Sequence, residues 1–129
     1  MKFVGKKGGS LADPKTPGSH HQVTIDEYEK NLRSLVARLK KTGAKLIWCS
    51  TTPVPRGAQG RVVGDDVRYN EVAAQVMKEN DVPTNDLYAL AKPRMDQIQL
   101  PANVHFTKEG SQRLAEEVVK AILAALGKS

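Results

Sequence analysis

Long apolar runs are missing from this 129-residue chain, and no stretch approaches the roughly 20 apolar residues that a membrane-spanning helix needs. Cysteine is almost absent. The single Cys49 excludes an internal disulfide and agrees with a reducing, cytoplasmic setting. The N-terminus, "MKFVGKKGGS", carries charge with no apolar stretch behind it, which is not the pattern of a signal peptide. One cysteine and three histidines are few for a structural zinc site. Adjacent His20 and His21, in a loop rich in Gly, Pro and Ser, are a weak metal signal. Aromatic residues are scarce too, at 5%, and do not interleave with the basic ones. The net charge of +6 therefore reads as a solvated surface, and a nucleic-acid partner is not expected.

What is there is an ordinary globule: 40% apolar and 26% charged, long enough for one modest core and too short for two. Residues 1–22 show no period and read as an N-terminal arm or loop; residues 23–129 read as one α/β domain. Thr24 and Glu27 have capping-box spacing, and Tyr28, Leu32, Leu35, Val36 and Leu39 then share one helical face up to Gly43. "AKLIWCS" looks like a buried parallel strand, and "TTPVPRGAQGRVVGDD" a long loop. Asp66 is a candidate cap for a second helix with Tyr69, Val72, Ala73, Val76 and Met77 inward. "VPTND" follows as a short strand and "LYALA" as a helical turn capped by Asp86. A further short helix fits between Pro93 and Pro101. The last helix runs from about Thr107 to Leu126, with Leu114, Val118, Ile122, Leu123 and Leu126 inward.

Helix, strand, helix, strand, helix implies α/β with a parallel sheet. Two strands are too few to cover three amphipathic helices. Either "KFV" in the arm adds a strand, or a second chain does; a homodimer or larger homo-oligomer, joined through edge strands or by exchange of the arm, is therefore expected.

Ligands in such sheets sit beyond the carboxyl ends of the strands. The first strand ends in Ser50-Thr51-Thr52-Pro53, the second in Asn85-Asp86, and the loop with His105 should return to that rim. There His105 is either a general base or a loop histidine bonded to nearby backbone. Ser50 and Thr51 read as ordinary rim hydroxyls.

"YEKNLRSLVARLKKTGAKLIWCSTTPVP", "RYNEVAAQVMKENDVPTNDLYAL" and "VHFTKEGSQRLAEEV" resemble the C-terminal half of the SGNH hydrolases, the GDSL-like esterase and lipase superfamily, over residues 24–126. The resemblance implies a flavodoxin-like three-layer α/β/α fold, here truncated with a short sheet. It also implies ester hydrolysis through a serine nucleophile, with no metal or cofactor and a small ester as the partner. By it, His105 deprotonates the serine and then protonates the leaving alcohol.

Two departures matter. The family's GDS-containing half has no counterpart in this sequence, and its aspartate three residues before the histidine is Ala102 here, beside Asn103. Ser10, in "GGSL", is a near-copy of the GDSL motif and the candidate nucleophile; Asp65, Asp66 and Asp86 are candidates to orient His105. The alternative is a non-catalytic SGNH-like module that self-associates through its open sheet edge. In a self-associated form, His105 of one copy is expected to meet a hydroxyl of the other.

Overall fold

Thr24 opens helix α1 (Ile25–Lys40) as the spacing predicts. Its hydroxyl accepts from the Glu27 amide while the Glu27 carboxylate accepts from the Thr24 amide, so two orphan donors are satisfied reciprocally. The computed structural model describes residues 1–127. Strand β3 (Trp48–Cys49) follows, then helix α2 (Asp65–Glu79) and strand β4 (Thr84–Asn85). Beyond β4 lie helix α3 (Leu87–Ala91), a 3-10 turn (Lys92–Arg94), helix α4 (Met95–Ile98) and helix α5 (Lys108–Ala125).

β3 and β4 pair in parallel, Trp48 opposite Thr84 and Cys49 opposite Asn85. Side chains alternate across the pleat. Leu46 and Trp48 turn to one face, against the buried Leu32 and Val36 of α1 and the buried Ala73, Val76 and Met77 of α2. Asn85 turns to the other, where its side-chain amide donates to the Glu117 carbonyl of α5. The result is three layers, α/β/α, around a short parallel sheet, the expected fold class.

Three expectations need correction. The N-terminal arm is structured: strand β1 (Phe3–Val4) pairs antiparallel with strand β2 (His20–His21), and Val4 also bridges to Leu11. This hairpin is a sheet of its own and adds nothing to the parallel one. Asp66 is not the cap of α2. The helix starts at Asp65 and its cap lies two residues before Asp66, at Gly64, whose φ of 96° is a conformation that glycine adopts without the Cβ penalty. Finally, the apolar stripes of α1 and α5 are only partly buried. Leu35, Leu39, Ile122, Leu123 and Leu126 are exposed, because a two-stranded sheet is narrower than the helices it must cover.

Candidate functional site

The loop that carries His105 is fastened at three points. Ile98, 1% exposed at the end of α4, accepts from the Thr107 amide at 2.9 Å and from its hydroxyl at 3.2 Å. Thr107 caps α5, its hydroxyl accepting from the Gly110 amide. Gly110 is buried, and a Cβ there would overlap the Ile98 carbonyl oxygen; that close approach explains the glycine of "HFTKEG". Between these points the Leu100 amide donates to the His105 carbonyl, and the His105 amide donates to the Asn103 side chain. The ring itself is exposed and makes no hydrogen bond to any described residue.

This loop lies at the carboxyl end of β3, as its expected return to that rim requires. The buried Gln99 donates from its side-chain amide to the carbonyl of Pro53, three residues after Ser50. Its other terminal atom, Oε1, is buried with no hydrogen-bond partner among the described residues. Beside the loop is an open depression of about 580 Å³, whose walls include Arg56, Lys92, Asp96, Gln99 and Ala102. Ala102 itself is left-handed, with φ of 51°.

The candidate carboxylates are engaged elsewhere. Asp86 accepts from the Ser50 hydroxyl at 2.8 Å and from the Ala89 amide, capping α3 as expected. The same Ser50 hydroxyl accepts from the Tyr88 amide, so this serine ties the strand to α3. Thr51 is bound through its backbone in both directions by the Asn70 side chain. Asp66, 2% exposed, accepts from the Val54 and Gly64 amides.

Asp65 holds a different histidine. His21 Nε2 is 2.7 Å from Asp65 Oδ2, the carboxylate side chain only 5% exposed. The His21 ring packs against Phe3, centroids 4.2 Å apart, and the nearby Tyr69 donates its hydroxyl to the Val23 carbonyl. Burial pushes the Tyr69 phenol up, and the charge of Asp65 adds to that. Sequence reasoning did not find this pair. The two residues are 44 positions apart, on a hairpin that the composition presented as a loop, and no local spacing links them.

Ser10 does follow β1 in a glycine-flanked turn and is exposed, its amide bonded to the Gly8 carbonyl. No hydrogen bond joins it to His105 among the described residues. Both segments meet one loop: Gly60 approaches Leu11, and a Cβ on Gly57 would lie 3.1 Å from that of Ala102.

No family model and no curated protein matches the sequence. Solved structures do match in shape. A lipase/acylhydrolase from Enterococcus faecalis superposes with a TM-score of 0.70 at 21% identity, over 79% of this chain and 53% of that one. An acetyl xylan esterase gives 0.63 at 16% identity, over 76% of this chain and 55% of its own. An alpha/beta hydrolase enzyme from the metagenome of Lake Arreo, Spain, gives 0.63 at 21% identity, over 83% and 49%. The chain therefore shares its α/β fold with these hydrolase structures. It spans about half the length of the structures it matches.

Proposed function

We propose that the chain is a carboxylic-ester hydrolase for small, accessible esters, with His105 as general base and Ser10 as the candidate nucleophile. The observation that carries this reading is the placement of His105. An exposed imidazole stands on a loop fixed by Ile98, Thr107 and Gln99 at the carboxyl end of β3; Leu100, Pro101 and Ala102 of the same loop line an open depression, and the fold is that of esterases and lipases. In the reaction, His105 takes the serine proton as the hydroxyl oxygen attacks the ester carbonyl. The imidazolium then protonates the departing alcohol, and water releases the acid from the acyl-enzyme with the same base. The loop between Gly57 and Gly60, which touches both the Ser10 turn and the Ala102 segment, supports pairing these two residues. No metal or cofactor takes part in this scheme.

The test is turnover of short-chain aryl esters. His105→Ala should lose about 10²- to 10⁴-fold with the fold preserved, and full retention of activity would remove the histidine from the chemistry. A serine-directed phosphonate should label the Ser10 peptide; labelling elsewhere, or an active Ser10→Ala variant, rejects that nucleophile. A second reading, a non-catalytic module of the same fold, is favoured by Ala102, which puts a methyl group where an orienting carboxylate would stand.

A further inference from the structure

The loop of residues 56–63 forms a wall of two open depressions. One, of about 580 Å³, is the depression lined by Leu100, Pro101 and Ala102; the other, of about 700 Å³, lies between the loop and the N-terminal arm. Arg56 and Val63 line both, so the two meet there as one groove. Its walls carry four cations, Lys15, Arg56, Arg61 and Lys92, against two carboxylates, Asp13 and Asp96. None of the four is ion-paired among the described residues, whereas Arg33 and Arg113 on the helices each hold a glutamate at 2.8 Å. Arg61 bonds only the neighbouring Gly60 carbonyl, and Lys92 stands over the Tyr88 ring. Asp13 accepts from the Lys15 amide. The loop adds donors. Gly57 and Gly60 are left-handed, with φ of 82° and 64°, and the amides of Gly57, Gln59 and Gly60 have no hydrogen-bond partner among the described residues. Unpaired guanidinium groups beside free loop amides are the chemistry of an anion site.

We propose that this groove binds a small molecule through its carboxylate, with Arg56 at the junction as the anchor, and that the ester turned over is one that carries a free carboxylate. The anion site rests on the groove alone; the ester rests on the hydrolase reading above. A guanidinium presents paired N–H donors in a fork that matches a carboxylate, and it stays charged at any working pH. Position agrees with charge. Gly60 lies against Leu11, next to Ser10, and Gly57 lies against Ala102, so the groove passes both segments that carry the proposed nucleophile and base. A carboxylate held at Arg56 fixes the molecule at a point remote from its ester, which is how binding places reacting atoms. The free carboxylate takes no part in the chemistry. Water is consumed, the acyl–oxygen bond breaks, and an acid and an alcohol leave. A neutral ester of the same length gains nothing from these walls.

Two measurements on the full chain test this. The first titrates glutarate and follows the amide resonances of Gly57 and Gly60. A saturable shift is expected, weakened by salt and weakened at least about fivefold in Arg56→Gln. Arg113→Gln, which removes the same charge from α5 outside the groove, should leave it unchanged. The second compares mono-4-nitrophenyl glutarate with 4-nitrophenyl pentanoate, its neutral counterpart. The ratio of their kcat/KM values should favour the charged ester at least about tenfold and fall towards one in Arg56→Gln. No saturable shift with glutarate overturns the proposal whatever the turnover, and so does a shift that Arg56→Gln and Arg113→Gln weaken equally. A ratio near one in the parent also overturns it, since the groove would then take no part in choosing the ester. Glutarate bound as expected, with neither ester hydrolysed, would uphold the anion site and reject the hydrolase reading instead.

Discussion

His21 and Asp65 form a histidine–carboxylate pair, Nε2 to Oδ2 at 2.7 Å, and the pair pins the N-terminal hairpin to the first turn of α2. Its position invites confusion with a catalytic dyad, yet the ring is wedged against Phe3 and lies on the hairpin. Removing one partner leaves a nearly buried carboxylate short of a donor. Asp65→Asn or His21→Ala should cost about 1–3 kcal/mol in urea unfolding. Ester turnover by the folded fraction should not change. If His21→Ala abolished turnover while His105→Ala kept it, the base would have to be reassigned to His21.

Ala102 offers the complementary experiment, a gain. Its φ of 51° belongs to the left-handed region, which Asp and Asn enter more readily than alanine does. Ala102→Asp therefore suits the backbone and returns a carboxylate to the position three before His105. Loss of the aspartate from a working triad costs about 10⁴-fold. Partial recovery, at least about tenfold in kcat with His105 present and none in the His105→Ala background, is the expected outcome. An increase that persists without His105 would show that the carboxylate acts by itself.

Gly110 couples packing to the site. A methyl group at this position overlaps the Ile98 carbonyl, the same oxygen that accepts from Thr107, so α5 and α4 must separate. Gly110→Ala should destabilise by about 1–3 kcal/mol or more through overpacking, despite the better helix propensity of alanine. It should also lower ester turnover, since the His105 loop hangs from that contact. A variant as stable as the parent would mean that the two helices part without strain.

The elements were legible wherever their cause was local. The capping box at Thr24 and Glu27 and the cap at Asp86 are each written within four residues, and each is present. The parallel pairing of "KLIWCS" with "VPTND" followed from an apolar run between two amphipathic helices. What failed was non-local. The hairpin of residues 3–21 is held by Phe3 donating to Gly60 and by His21 on Asp65, partners that no period in the arm announces. The helical period marked Ile122, Leu123 and Leu126 as one apolar face, but a period cannot tell whether a sheet covers that face, and all three are exposed. At the site, the loop of His105 was foreseen at the strand rim, whereas the carboxylates were drawn into capping and loop closure.

The capping box also gives a pH signature. Hydrogen bonds from the backbone and then the side chain of Thr24 hold the Glu27 carboxyl below its ordinary range. A group with a depressed folded pKa stabilises the fold above its unfolded pKa, and the contribution is lost as pH falls through the folded one. Urea midpoints measured between about pH 3 and pH 6 should therefore decline less steeply for Glu27→Gln than for the parent. Parallel curves for the two proteins would show that the acid limb is set by other carboxylates.

Amide exchange along a single strand tests the parallel sheet residue by residue. Trp48 and Ser50 donate into the ladder with β4, at 2.9 and 3.0 Å, and their exchange requires that ladder to open. They should rank among the most protected amides at any protein concentration. Ile47 and Cys49 face the open edge, and within one copy nothing in the parallel ladder covers them. In dilute protein these two should exchange much faster than their neighbours, giving a fast–slow alternation residue by residue. Rapid exchange of all four would remove the strand itself and with it the parallel sheet. Slow exchange of Ile47 and Cys49 as well would mean that this edge of the strand is covered.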